Sequence, residues 1–363
     1  MTAPTPRPGI LEITPYVPGK SGADDGRPVI KLSSNESALG PSPKAIEAGK
    51  AAVANMVRYP DGAASALREA LGKRWGLDPA RLICGCGSDE LLEMLPRAFA
   101  GPGDEVLYSQ YGFAVYPIAT RAAGATPVTA PETNFRTDVD AMLAAVTERT
   151  KIVFLANPNN PTGTYIPASE VRRLREGLPA HVLLVIDSAY AEFADRPDYT
   201  DGAELVHESD NTVMTRTFSK IYSLAGLRVG WLYGPAGIVD VLNRIRAPFN
   251  VNAVALAAAE AALADEEHVR KAREHNAHWI PRLTQSLRGM GLTVHDSVVN
   301  FVLVQFPGGA AQAQAAEKYL AEQRIYVRNL NAYGIPDGLR INIGVEHEMA
   351  ALTDNLAAFM AAT

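Results

Sequence analysis

The chain has 363 residues, 47% of them hydrophobic and 20% charged, with a net charge of −6 at pH 7. A length of this order points to about two domains, and the balance of apolar and charged residues excludes disorder and fibrous repeats. The negative charge leaves no basic field for nucleic acid or anionic lipid, and two cysteines, Cys84 and Cys86, make neither a disulfide framework nor a four-ligand zinc site.

The first element is an irregular N-terminal arm over 1–30, with six prolines and no apolar period. Its first nine residues lack the apolar core of a secretory signal, so a cytoplasmic protein is expected. From 31 to 255, short apolar runs at 81–84, 104–108, 151–156, 181–186, 211–215 and 228–233 alternate with helical patterns. Runs of this kind, bounded by Gly, Pro and polar residues, predict a mostly parallel sheet covered by helices on both faces, an α/β large domain. A long helix is expected over 251–289, followed by a strand at 298–306, a helix at 311–323, strands at 325–330 and 339–344, and a final helix. This is a smaller α+β domain over 256–363, completed by the arm. The most apolar stretch, 253–264, is broken by Glu260 and falls short of the ~20 residues that span a membrane.

Ligands of open α/β sheets gather at the carboxyl ends of strands. The run 181–186 delivers Asp187, with Tyr190 three residues on, and 151–156 runs into Asn157-Pro-Asn-Asn-Pro-Thr-Gly163. The run from 211 delivers Thr217, Ser219 and Lys220, with Arg228 eight residues later. Alone, Asp187 reads as a cap or turn residue, Tyr190 as core and Lys220 as a solvated amine. Together, two hydroxyls and an arginine beside an amine make a compact phosphate site. Gly87 and Ser88 open a helical pattern whose first amides suit the same anion. The dinucleotide fingerprint fails, because Glu90 stands where its third glycine belongs. His275 and His278 have helical spacing in a charged stretch, which a surface helix explains without a metal. In 338–344, alternation puts Leu339, Ile341 and Ile343 on one face and Arg340 and Asn342 on the other, a pattern that by itself reads as a half-solvated strand.

With Asn160-Pro-Thr-Gly163, Asp187 before Tyr190, and Ser219-Lys220 before Arg228 in this order, the chain resembles the fold-type I aminotransferases, which use pyridoxal 5'-phosphate. Asn35-Glu36 with Gly40-Pro-Ser-Pro43, Arg58-Tyr-Pro-Asp61, Gly87-Ser-Asp-Glu90 and the stretch 216–228 are similar to motifs of the histidinol-phosphate aminotransferase family, over nearly the whole chain. Ala38 stands where that family often has proline, and Ser88 where alanine is common.

The resemblance implies Lys220 as the amine that joins the cofactor and Asp187 as the partner of its pyridine nitrogen. It implies Tyr190 and Asn160 as donors to the phenolate oxygen, Tyr111 as the aromatic stacked on the ring, and Ser88, Asp89, Thr217, Ser219 and Arg228 around the phosphate. It further implies a homodimer with shared active sites, in which Tyr59 reaches the neighbouring subunit's phosphate and the arm, with Tyr16, packs against the small domain and the partner subunit. Arg340, Arg328 and Asn35 are the implied substrate-binding residues. The implied reaction is ping-pong transamination between L-histidinol phosphate and 2-oxoglutarate in histidine biosynthesis, with small-molecule amino donor and 2-oxo acid acceptor. An aromatic-amino-acid aminotransferase, or dual specificity, is the nearest alternative; a decarboxylase of a phosphorylated amino acid is the next.

Overall fold

The computed structural model describes residues 4–22 and 26–362, so residues 1–3 and 23–25 of the expected arm lie outside the described residues. In chain order the strands are β1 (Ile30–Leu32), β2 (Leu82–Gly85), β3 (Glu105–Ser109), β4 (Thr126–Ala130), β5 (Glu132–Thr133), β6 (Arg136–Thr137), β7 (Thr150–Ala156), β8 (Leu183–Asp187), β9 (Thr212–Thr217), β10 (Gly230–Tyr233), β11 (Thr293–Val294), β12 (Phe301–Gln305), β13 (Ile325–Asn329) and β14 (Gly338–Asn342). The helices are α1 (Pro43–Val53), α2 (Ser65–Trp75), α3 (Gly87–Phe99), α4 (Val115–Ala123), α5 (Val139–Ala144), α6 (Ala168–Gly177), α7 (Ala203–Glu208), α8 (Ala236–Ile245), α9 (Ala253–Ala264), α10 (Glu266–Gly289), α11 (Gly309–Glu322) and α12 (Glu346–Ala362).

Seven strands form the large sheet in the order β2-β10-β9-β8-β7-β3-β4. Its pairings are parallel except those of β10, which runs antiparallel to β2 and β9. The expected mostly parallel α/β sheet is therefore present. Successive side chains on a strand face opposite ways. Val106, Phe154, Val185, Val213 and Leu232 pack with α3 and α8 on one face, whereas Leu107, Leu155, Leu184 and Ile186 pack with α5, α6 and α7 on the other. Burial on both faces is why these strands read as continuous apolar runs.

The smaller sheet has the order β1-β13-β14-β12-β11, with β1 parallel to β13. The N-terminal segment thus completes the C-terminal unit. The stretch expected as one helix over 251–289 is two, broken at Asp265, whose carboxylate accepts from Ser42 Oγ at 2.5 Å and Lys44 Nζ at 3.0 Å. The residues of α9 pack with Leu67 and Leu71 of α2, and Ala272 of α10 joins that core, but Leu283 and Leu287 join the core of the small sheet. The packing thus changes hands inside α10.

Candidate active site

Strand ends of the large sheet and one strand of the small sheet converge on a pocket of about 490 Å³. Asp187 ends β8 and lies beside Ala156 of β7 and Thr215 of β9 across the parallel ladder. Its buried carboxylate accepts the Tyr116 hydroxyl at 2.8 Å and the Thr215 hydroxyl at 3.1 Å. Burial pushes this carboxyl up to about 6, against the pull of those two donors.

Lys220 follows β9 through a turn in which Thr217 Oγ1 accepts the Ser219 N–H at 3.1 Å. Its half-buried ammonium has a hydrogen bond to Ser34 O at 3.4 Å. Among the described residues no carboxylate pairs with it. Burial, and next the positive charge of Arg340, push the amine down to about 8, so near neutral pH it readily gives up a proton. The Tyr190 ring centroid lies 5.6 Å from the amine, and its hydroxyl accepts Asn35 Nδ2 at 2.7 Å. Burial raises this phenol to about 12. It is neutral at working pH, with its own proton free to donate into the pocket.

Facing Lys220 is an anion cradle. The side chain of Cys86, the residue at the start of α3, makes no cap bond, and of the amides there Glu90 accepts only that of Cys86, so the amides that follow are available to an anion. Two glycines make the cradle possible. A Cβ on Gly87 would stand 2.5 Å from Arg228 Nη2, and one on Gly230 would stand 2.3 Å from the Ser88 amide nitrogen. Arg228 holds φ 55°, a left-handed conformation costly for a side chain of this size. From there its guanidinium donates to Asp89 Oδ2 at 2.8 Å, Ser219 Oγ at 3.3 Å and Ala225 O at 3.1 Å.

At the opposite end, the face of β14 that alternation left half-solvated is buried, with Arg340 5% and Asn342 2% exposed. It is turned toward the large domain. Asn342 accepts the Asn35 N–H and donates to Glu36 O, while Arg340 donates to Asn160 Oδ1 and, at 2.8 Å, to Ser33 O. The Asn157 side chain clamps its loop by bonding Ile166 N and Ile166 O, which holds Asn160 in place. Two buried guanidiniums make an instructive contrast. The Nε of each has no hydrogen-bond partner, but Arg216 is paired with Glu192 and Asp201, whereas Arg340 has no carboxylate partner among the described residues. A buried charge left unpaired is expensive, so this position is built for an anion that arrives from outside.

The pocket brings together Tyr16, Asn35, Ser88, Asp89, Asn160 and Asp187 with Tyr190, Thr217, Ser219, Lys220, Arg228 and Arg340. Three expected residues lie outside its lining. Tyr111 packs against Phe135, ring centroids 5.1 Å apart, and Phe113 of the same segment is in the lining. Arg328 pairs with Arg340 across the β13–β14 ladder and sits 5.7 Å from the Tyr16 ring. Tyr59 is 81% exposed and stacks on Phe249. Conversely, Ser34 and Phe113 line the pocket and Tyr116 reaches Asp187 without having been singled out as site residues, and Glu36, marked only as part of the Asn35-Glu36 motif, lines it too.

The family model of aminotransferase class I and II matches residues 27–356. Histidinol-phosphate aminotransferases from Paramagnetospirillum magneticum and Rhodospirillum centenum are 57% and 54% identical to this chain, covering 100% and 98% of each sequence pair. Among solved structures, the histidinol-phosphate aminotransferase of Sinorhizobium meliloti in complex with pyridoxal-5'-phosphate superposes with a TM-score of 0.93 at 30% identity, over 99% of both chains.

Proposed function

The chain belongs to the class I and II aminotransferases, and we propose, from that premise and the pocket, that it transfers the amino group of L-histidinol phosphate to 2-oxoglutarate. The products are imidazole-acetol phosphate and L-glutamate, and the reaction is a step of histidine biosynthesis. The observation that carries this reading is the buried, carboxylate-free Arg340 across the pocket from the Lys220 amine. Its planar fork suits the phosphate of one substrate and the carboxylate of the other.

Pyridoxal 5'-phosphate is the cofactor, and the residues fit it on their own chemistry: an unpaired amine, a buried carboxylate whose charge a cationic ring nitrogen would relieve, a neutral phenol, and a glycine-floored anion cradle. Bound there, it supplies an aldehyde carbon that amines engage and a ring that takes up the electron pair left when the substrate Cα–H bond breaks. The rest falls to the chain. Lys220 would hold the cofactor through its amine and, in its neutral form, would serve as the proton carrier at the substrate carbon. Asp187 would keep the pyridine nitrogen charged, and Tyr190 and Asn160 would hold the phenolate oxygen. Ser88, Thr217, Ser219 and Arg228 would hold the phosphate, with Asp89 contributing through its backbone amide and its carboxylate fixing Arg228, while Arg340, with Tyr16 and Asn35 in the same pocket and Arg328 next to it on β13, would orient the substrate anion.

Purified enzyme with 2-oxoglutarate as acceptor should give a far higher kcat/KM for L-histidinol phosphate than for phenylalanine; the reverse order would make it an aromatic-amino-acid aminotransferase. Arg340→Met should lower kcat/KM about 100-fold, at the scale of lost hydrogen bonds to a charged group. The same change should raise the melting temperature of the substrate-free protein, because it removes a buried unpaired charge.

The homodimer with shared sites finds support in the exposed apolar residues around Tyr59, where Met56 is 73% and Val57 90% exposed. Sedimentation velocity should give a dimer that Tyr59→Asp weakens; a monomeric, fully active wild type would refute the shared site. Among the described residues no helix is long and apolar enough to cross a membrane, and the two free thiols support a cytoplasmic setting.

A further inference from the structure

Asp187 does not set its own direction. Its Oδ2 receives a proton from Tyr116, which lies on α4, an element that contributes nothing else to the acid–base groups. The Tyr116 side chain is fully buried and fixed on three sides. It stacks parallel on Phe154 at 4.5 Å and meets Tyr108 and Phe113 edge-on, each at 5.9 Å. Thr120 Oγ1 anchors the Tyr116 carbonyl at 2.7 Å. A phenol has one proton to give, and here its recorded acceptor is Asp187. Thr215, donating to Oδ1, occupies the other oxygen from the neighbouring strand. Both carboxylate oxygens thus carry a donor, one from the sheet and one from a helix that the sheet register does not control.

We propose that Tyr116 is a positioning residue of the transamination site: its hydroxyl orients the Asp187 carboxylate and keeps it charged toward the cofactor's ring nitrogen. This rests on the reading of Asp187 as partner of that nitrogen. Hydrogen bonds to a carboxylate favour its charged form and lower its proton affinity. Without the phenol, Asp187 holds a proton more tightly, competes with the ring nitrogen for it, and is free to rotate about its last bond. The stack on Phe154 explains why a tyrosine does this work: the ring is locked by apolar packing, so the hydroxyl sits at a fixed point at the strand end.

The test compares cofactor-loaded Tyr116→Phe, Asp187→Asn and the double variant. The readouts are kcat, KM, the dissociation constant of pyridoxal 5'-phosphate, and the pH midpoint of the bound cofactor's visible absorbance. Tyr116→Phe keeps the stacked ring and is expected to lower kcat about 10- to 100-fold, leave KM for histidinol phosphate nearly unchanged, and shift the absorbance midpoint. The double variant should be no worse than Asp187→Asn alone. 3-Fluorotyrosine installed at position 116, a stronger donor of nearly the same shape, should move the midpoint in the opposite direction, so the idea remains testable if the Phe variant folds poorly. An unmoved midpoint with wild-type kcat in Tyr116→Phe, or a further loss in the double variant, overturns the proposal. Wild-type kcat and cofactor affinity in Asp187→Asn would instead overturn the underlying reading of Asp187.

Discussion

Lys220→Ala ends multiple turnover, with kcat lower by about 10⁴-fold or more, the scale of a lost acid–base group that also forms the covalent link. The size of the effect follows from isolation. The amine reaches Ser34 O alone among the described groups, and no neighbouring lysine or histidine lines the pocket to take over its proton transfer. Burial and Arg340 hold it at about 8 rather than in the ordinary lysine range, so the wild-type rate should rise with pH as the neutral form accumulates, up to about that value. Steady-state assays with histidinol phosphate and 2-oxoglutarate measure the loss. A small primary amine added to Lys220→Ala should restore part of the rate, since the missing function is a proton carrier in a cavity of about 490 Å³. A variant that cycles at wild-type speed would leave the amine without a role.

Asp187→Asn is the second large effect, and it has opposite signs for activity and for stability. Replacing a buried charged group that opposes a developing charge costs about 10²- to 10³-fold in kcat. The cofactor-free protein behaves otherwise. Its folded-state carboxyl lies at about 6 against an ordinary 3.8, so the folded chain binds this proton more tightly than the unfolded chain. The stability contributed by protonation is complete below the ordinary value, is lost as pH rises through about 6, and is absent above it. The loss is on the order of 3 kcal/mol. Asp187→Asn therefore flattens that pH dependence and raises the melting temperature of the cofactor-free protein at pH 8, while weakening pyridoxal 5'-phosphate binding. Calorimetry of the cofactor-free wild type and variant between pH 4 and pH 8 measures it; a variant less stable than wild type at pH 8 would contradict the account.

The parts of this molecule that were legible in its sequence are those fixed by local chemistry. The central strands, buried on both faces, left unbroken apolar runs, and Asp187, Lys220 and the 157–163 turn stand at their ends, where chain order alone locates them. β4 was not legible, because Pro127 interrupts its pattern, and an edge strand tolerates that proline. The break at Asp265 carries neither Gly nor Pro, so α9 and α10 read as one helix. The arginine face of β14 read as half-solvated because alternation gives the side-chain direction but not what lies opposite; Ser33 and Asn160 come from distant segments. Tyr116 was illegible for the same reason. Its sequence neighbours make it a core aromatic of α4, and its partner lies 71 residues away.

The account depends most directly on the bond between Lys220 and its cofactor. Borohydride reduction of the enzyme saturated with pyridoxal 5'-phosphate, followed by proteolysis and peptide mass spectrometry, should place a reduced pyridoxyl adduct on Lys220 and bleach the yellow colour. An adduct on another lysine, or none at Lys220 under saturation, would contradict it.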